Sequence, residues 1–463
     1  MTTRKILYAL LLGSGLLAAC SPSSSTSGEQ RDPIDYVNPY LGSISHLLVP
    51  TFPTVHLPNS MMRVHPQHTD YAAEQLEGLP LILTSHRGIS AFALSPRTSL
   101  EDSVPAVTRY SYDQEEVKPY LYSVRLLEPE VSVGYAPAAR SALYTFDFEG
   151  QGSGRYLVFS TPDGQLRASG RSISGWQQLS DSTRVYLWAE LSEAPKALGL
   201  REVRTGRVQM QPDSVSGSSI VVALSGDKGA LRYGVSYISV EQAQRNVQRE
   251  IQSYELKLVA KAGRNEWAKA LDKIQVEGGT AAERSTFYTS LYRTYERMVC
   301  ISEEGRYWSA FDNKVHEDGG VPFYTDDWLW DTYRAVHPLR LLLDPEREQQ
   351  MLTSLLRMAR QSPEGWLPTF PEVQGDTHRM NGSHTIATFA DAYAKGVTGF
   401  NLAAAYAAAQ RTLEEKSYLP WTRIPKGPLS KALDERGYMP ALRPGERESD
   451  PRVTLWEKRQ SVA

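Results

Sequence analysis

Cysteine is almost missing from this chain: Cys20 and Cys300 are the two among 463 residues. Cys20 closes an N-terminal segment, which leaves Cys300 alone and excludes a disulfide framework or a thiolate metal cluster. Charge of one sign is lacking as well. Fifty Lys and Arg nearly balance 53 Asp and Glu, for a net charge of −3. No global field therefore favours nucleic acid or an anionic membrane surface, and no nucleic-acid partner is expected. Phe is scarce at 11 beside 25 Tyr. Tyrosines suit open, wet clefts and also suit strands. Beyond residue 19 there is no long apolar run. The length exceeds one ordinary core, so two domains are the expectation.

The one apolar run, Ile6 to Ala19, follows Arg4 and Lys5 and is too short to span a bilayer comfortably. It ends in Leu17-Ala18-Ala19-Cys20, then Ser21-Pro22-Ser23-Ser24-Ser25. This pattern resembles a bacterial lipoprotein signal, in which the Cys is lipidated and a polar tether follows. Residues 1–20 are read as the signal, with Cys20 as the lipidation site, and 21–31 as a flexible linker. The implied location is exported and lipid-anchored to a bacterial envelope membrane, periplasmic or at the cell surface.

From 32 to 240 the signals are for strands. Leu121 to Leu127, Ala142 to Phe148, Arg155 to Thr161, Arg184 to Leu191, Ser219 to Ser225 and Leu231 to Val240 are rich in β-branched and aromatic residues. Turn clusters separate them, which predicts an antiparallel β-sandwich. A helix from Val240 to Glu255 and a short linker carrying Trp267 form a connection, 241–280. From 281 to 463 nearly everything reads as helix, and Cys300 is expected as a small buried side chain closing a helical run. Asp344-Pro345-Glu346 is a start signal, with Met351, Leu352, Leu355, Leu356 and Ala359 as the buried face that follows. Ser383 to Lys395 is a second helix. Asn401 to Leu413 is Ala-rich and is expected to pack closely. The fold class is β then α, a sandwich followed by a toroid of helical hairpins.

The stretch Phe323 to Leu343 concentrates chemistry. It holds Asp326, Asp327, Trp328, Trp330, Asp331 and Arg334. Aromatic rings cover the apolar face of a pyranose, and carboxylates accept from its hydroxyls or hold a cation. The same residues also fit a bland description. Asp331 and Arg334 stand three apart, as a helix-surface ion pair would, and the tryptophans would suit a core.

Trp330-Asp331-Thr332-Tyr333-Arg334-Ala335-Val336-His337-Pro338-Leu339 is followed by Gly365-Trp366-Leu367-Pro368, Gly382-Ser383-His384 and Ala390-Asp391-Ala392-Tyr393-Ala394-Lys395-Gly396. Asp35 to Gly42, Phe287 to Arg293 and Gly437-Tyr438-Met439-Pro440 flank them in order. Together these resemble glycoside hydrolase family 92, the calcium-dependent, inverting exo-α-mannosidases, over nearly everything after the linker. The resemblance implies a β-sandwich and an (α/α) toroid with the site between them. Trp330 and Asp331 would line the terminal mannose subsite, with His384 and Asp391 in support. His384 and Asp391 fit helix-start contacts and an ion pair with Lys395 equally well. An inverting mechanism pairs a carboxylic acid with a carboxylate base roughly 6.5–9.5 Å apart. Calcium would bind adjacent sugar hydroxyls.

Two departures shape the expectation. The stretch Ser43 to Pro53 contains no glycine where the family's loop is glycine-rich, which makes close backbone approach to a sugar harder. Asp326 and Asp327 add acidity before the Trp-Asp pair, either as sugar or cation contacts or as a helix cap and first-turn acid. Ala463 falls where the family's chain runs on. The general acid, general base and calcium ligands are therefore expected outside this chain, and no catalytic residue is assigned within it. The chain is expected to be an inactive N-terminal part of an enzyme acting on mannose-containing glycans. Alternatives are a glycan-binding surface lipoprotein, and one half of an enzyme completed by a separately encoded C-terminal half.

Overall fold

The computed structural model describes residues 31–44, 50–68, 73–85, 88–150, 154–211, 213–380, 382–418 and 423–438. The leader, Cys20, the linker up to residue 30, residues 45–49 of the glycine-free loop and the chain's last residues lie outside them.

Alternating burial organises the first half. In the strand Leu121–Leu126, Tyr122, Val124 and Leu126 are buried and their neighbours are half-buried, as a strand with one face in a core requires. Ten strands form one antiparallel sheet. Its centre runs Arg184–Leu191, Lys228–Ser236, Ser141–Phe148, Val131–Pro137 and Leu121–Leu126. A six-stranded antiparallel sheet includes Ser219–Ala223, Tyr156–Ser160, Ser90–Arg97 and Leu79–Leu83. The inner faces share one apolar core. Buried tyrosines stitch them: Tyr144 and Tyr233 donate across the sandwich to the carbonyls of Pro80 and Leu81, at 2.8 and 2.7 Å. Much of the tyrosine content is thus spent in the core, where the Tyr144 and Tyr233 hydroxyls find the partners that burial demands.

The last strand of the larger sheet stops at Ser236, earlier than its pattern predicts, because Ser239 caps the helix α1, Val240–Glu250, accepting from Gln242 N. Helix α1 lies on the outer face of the larger sheet, where Ala243 and Val247 meet Leu143 and Trp188. Gly234 makes this approach possible, since a Cβ there would stand 2.2 Å from the Ala243 carbonyl. The segment read as a linker around Trp267 is instead a helix, α2, Leu256–Leu271. Its buried stripe, Val259, Ala260, Gly263, Trp267, Ala270 and Leu271, has helical spacing whose apolar signal its small Ala and Gly members weaken. Trp267 is fully buried and donates to the His56 carbonyl at 2.6 Å.

Helix α3, Ala281–Arg293, opens with a capping box between Thr280 and Glu283. The chain then leaves the helical pattern, contrary to expectation. Short antiparallel pairs join Val299–Cys300 to Tyr324–Thr325 and Arg306–Ser309 to Lys314–Glu317. Cys300 therefore sits in a strand, half-buried, at a cavity of about 430 Å³ between α2 and the sandwich. The helical region resumes with α4, Leu329–Thr332, α5, Val336–Leu343, and α6, Pro345–Gln361. Asp344 caps α6 as its sequence predicts, and Met351, Leu352, Leu355, Leu356 and Ala359 are its buried face. A small hairpin, Pro371–Glu372 with Gly375–Asp376, precedes α7, His384–Ala394, α8, Leu402–Glu415, and α9, Pro428–Arg436. Helix α8 does not pack closely all round. It buries Ala405 and Thr412 and leaves Leu402, Tyr406 and Leu413 exposed.

Candidate functional site

The segment from Phe323 to Arg334 runs between the sandwich and the helical region, and its three acids meet different fates. Asp326 is fully buried, with φ +65°, and pairs with Arg63 from the sandwich strand Arg63–Val64. Asp327 is buried as well. Its backbone donates to the Pro371 carbonyl at 2.8 Å, and its carboxylate accepts from Thr332 Oγ1 at 2.9 Å. Its other oxygen lies 2.7 Å from His337 Nε2, and His337 Nδ1 lies 2.6 Å from Glu348 Oε1. Arg340 closes the network by donating to Glu348 Oε2 at 3.2 Å.

Burial alone would discharge His337. Glu348 and Asp327 on its two sides outweigh that cost and lift it to about 9, so the ring is an imidazolium at neutral pH. Burial opposes the charge on Asp327 and Glu348, yet His337 and Arg340 hold both carboxyls below their ordinary values. Two cations and two anions thus balance in a buried brace across α4, α5 and α6. Broken on one side, such a network leaves a buried charge uncompensated. Neither Asp326 nor Asp327 caps α4, whose cap position, Trp328, makes no side-chain cap hydrogen bond. Neither is open to a sugar or a cation.

Trp330 and Asp331 turn outward on α4. Trp330 is 42% exposed, and Asp331 is exposed beside it. Partial burial lifts the Asp331 carboxyl above its usual range; Arg297 pulls it down and Asp327 pushes it up. The expected pair with Arg334 does not form, because α4 is a single turn and Arg334 lies past its end. Arg334 instead donates to the Tyr333 hydroxyl at 2.8 Å and lies 5.6 Å from its ring centre. On Tyr333 also stacks His384, 4.2 Å between centroids and 19° off parallel. Burial and Arg334 hold the His384 imidazole below its ordinary value. His384 reaches this place because Gly382 turns the chain into α7 with φ +88°, where a Cβ would crowd the ring at 2.8 Å. Asp391, further along α7, pairs with Lys395 at 2.6 Å on the helix surface.

Sequence reasoning missed Arg63, Arg297, His337, Glu348 and Arg379. His337 lay within the quoted Trp330 to Leu339 motif without a role. Arg63 comes from 263 residues earlier, where nothing in the sequence pairs it with Asp326. Among the described residues no group of three or more His, Cys, Asp or Glu side chains is arranged to hold a metal ion.

Comparison with known proteins meets this geometry. The model of the glycosyl hydrolase family 92 N-terminal domain matches residues 36–236, and that of the family 92 catalytic domain matches 242–455. The chain belongs to glycoside hydrolase family 92. Among solved structures, a family 92 inverting mannosidase from Bacteroides thetaiotaomicron VPI-5482 aligns with TM-score 0.78 at 24% identity, over 89% of this chain and 59% of that one. A family 92 α-mannosidase from Bacteroides thetaiotaomicron, in complex with mannoimidazole, aligns with TM-score 0.77 at 22% identity, over 89% and 58%. The chain therefore spans just under three fifths of the length of these family 92 relatives, and at such identities the likeness is one of fold. No curated protein matches the sequence significantly.

Proposed function

We propose that this family 92 chain serves the cleavage of α-mannosides of glycans by the inverting route, with Trp330 and Asp331 lining the terminal sugar subsite. The observation that carries the reading is a half-exposed indole beside a carboxylate with no hydrogen-bond or ion-pair partner among the described residues. The ring offers a face to the apolar side of a pyranose, and the carboxylate accepts from its hydroxyls. Tyr333, held between His384 and Arg334, stiffens the wall behind them.

Inversion needs two carboxyl groups facing one sugar from opposite sides. The acids around Asp331 are engaged elsewhere: Asp326 with Arg63, Asp327 with His337, Glu296 with Arg293 and Glu372 with Arg379. The described residues therefore bind and orient, and the isolated chain is expected to hold a mannoside without turning it over. Calcium, when bound, would supply oxygen coordination to neighbouring sugar hydroxyls; its ligands belong outside the described residues.

Lipidation at Cys20 would place this site at an envelope membrane. Replacing Cys20 by Ser should move the protein from the membrane to the soluble fraction. Two readings share the same site. A glycan-binding lipoprotein is favoured by the engaged acids. A chain completed by a separate C-terminal half is favoured by the exposed Leu402, Tyr406 and Leu413 of α8, and requires such a half to co-purify.

Calorimetric titration with methyl α-mannoside, run beside a mannose-release assay with calcium, tests the proposal. Binding that Trp330→Ala weakens about tenfold or more is expected, since stacking and apolar contact contribute on the order of 1–2 kcal/mol. Equal binding by wild type and Trp330→Ala would remove the subsite, and robust release by the isolated chain would overturn the division of labour.

A further inference from the structure

We infer that a small cavity against the strand pair Val55–His56 and Arg63–Val64 is a binding site for one buried water molecule, which donates one hydrogen bond to His56 and another to His65.

The site begins in the sequence. The two short strands pair antiparallel, with His56 opposite Arg63. Side chains alternate along a strand, so Thr54 and His56 share a face with Arg63 and His65, Thr54 and His65 lying just beyond the strand ends. That face is polar, yet each of the four residues is 6% exposed or less. All four line one cavity of about 20 Å³, together with Gly88 and with Glu296 from the turn after α3.

The hydrogen bonds fix the state of both rings. His56 Nδ1 lies 2.8 Å from the Leu57 carbonyl, and His65 Nδ1 lies 2.7 Å from the Pro66 carbonyl. A carbonyl only accepts, so each Nδ1 holds the proton. Gln67 Nε2, 3.2 Å from the same His65 nitrogen, donates to the His65 carbonyl instead. Burial, aided by the charge of Arg63, brings the imidazoles down to about 3 and about 4, so neither ring takes a second proton at neutral pH. Each Nε2 is therefore a bare acceptor. Both are buried, and neither has a hydrogen-bond partner among the described residues. A buried acceptor left unmet is costly. Gly88, at φ +77°, keeps space open against one of them, since a Cβ there would stand 2.8 Å from His65 Nε2.

Whatever meets two acceptors across so small a space must donate twice. Water does, and the volume is that of about one molecule; a sugar ring is far too large. A metal ion would also take two imidazole lone pairs. Arg63 and Arg293 set positive charge against it, and among the described residues no group of three or more His, Cys, Asp or Glu side chains is arranged to hold one. The water thus ties the two strands together beside Arg63, whose pair with Asp326 joins the sandwich to the helical region.

Magnetic resonance of the full chain with isotope-labelled histidine, at neutral pH, tests the inference. Both rings should show the Nδ1–H tautomer, and the carbon-bound protons of both should cross-relax with a long-lived water. In Gly88→Ala the His65 cross-peak should be lost while both tautomers persist. One equivalent of zinc chloride should leave both Nε2 resonances in place. An Nε2–H tautomer in either ring, or wild-type rings without water contact, would overturn the inference. So would an undiminished His65 cross-peak in Gly88→Ala. A zinc-induced shift of both nitrogens would replace the water site by a metal site.

Discussion

Asp327 and Asp331 lie four residues apart in one segment. Asp327 is 1% exposed and held by Thr332 and His337; Asp331 is open and, among the described residues, bonded to nothing through its carboxylate. The difference is one of partners. Every oxygen of the inner acid is met by a donor from the protein, so its energy is spent on holding α4 to α5 and α6. The outer acid is left for something else to meet. The arginines divide in the same way: Arg63 and Arg340 are consumed by the fold, whereas Arg379 keeps its Nη1 unspent among the described residues.

Breaking the inner side should have the largest effect. His337→Gln strips the cation from between two buried carboxylates and should destabilise the protein by about 3–5 kcal/mol, read by urea unfolding. Arg63→Gln should cost about as much or slightly less, because it removes the cation paired with the buried Asp326 at the seam between sandwich and helices. A normal unfolding midpoint in His337→Gln would erase the contrast between the two acids.

The pH dependence sharpens it. His337 is raised from 6.5 to about 9, so its contribution is full below about 6.5 and is lost as pH rises through about 9. Asp327 and Glu348 are lowered, so their contribution is present above their ordinary values and is lost as pH falls through the depressed ones. Glu303 behaves oppositely. It accepts from Tyr237 N and Asn246 Nδ2, and burial lifts it to about 7, so the fold loses stability as pH rises from about 4.5 to about 7. Thermal unfolding against pH should show an alkaline limb that His337→Gln removes and a mid-range slope that Glu303→Gln flattens.

The smallest effect belongs to Asp391. Its pair with Lys395 is a solvent-facing i,i+4 contact, so Asp391→Asn should change stability by less than about 0.5 kcal/mol and leave mannoside affinity alone. A tenfold loss of affinity in that variant would return Asp391 to the site.

Much of this architecture was legible because it repeats. Period-two runs marked the strands, and the Asp344-Pro345 start marked α6. Helix α2 was hidden because half of its stripe is Ala and Gly, and the strands of 299–325 because their runs are two to four residues long. Trp330 and Asp331 could be proposed from their motif and neighbours, and both are exposed. The fates of Asp326 and Asp327 could not. Their partners, Arg63, His337 and Glu348, are set by chain reversals that no local spacing records. The same holds for Arg297, whose place depends on Asn59 and Arg340 reaching its carbonyl from two sides.

The most direct test sets Asp331→Asn beside His337→Gln, measuring melting temperature and methyl α-mannoside affinity on both. Asp331→Asn should melt as wild type does and lose about tenfold or more in affinity, because a charge-assisted acceptor is replaced by a neutral one. His337→Gln should lose stability first. An Asp331→Asn protein that binds the mannoside as tightly as wild type would contradict the assignment of the outer acid to the sugar.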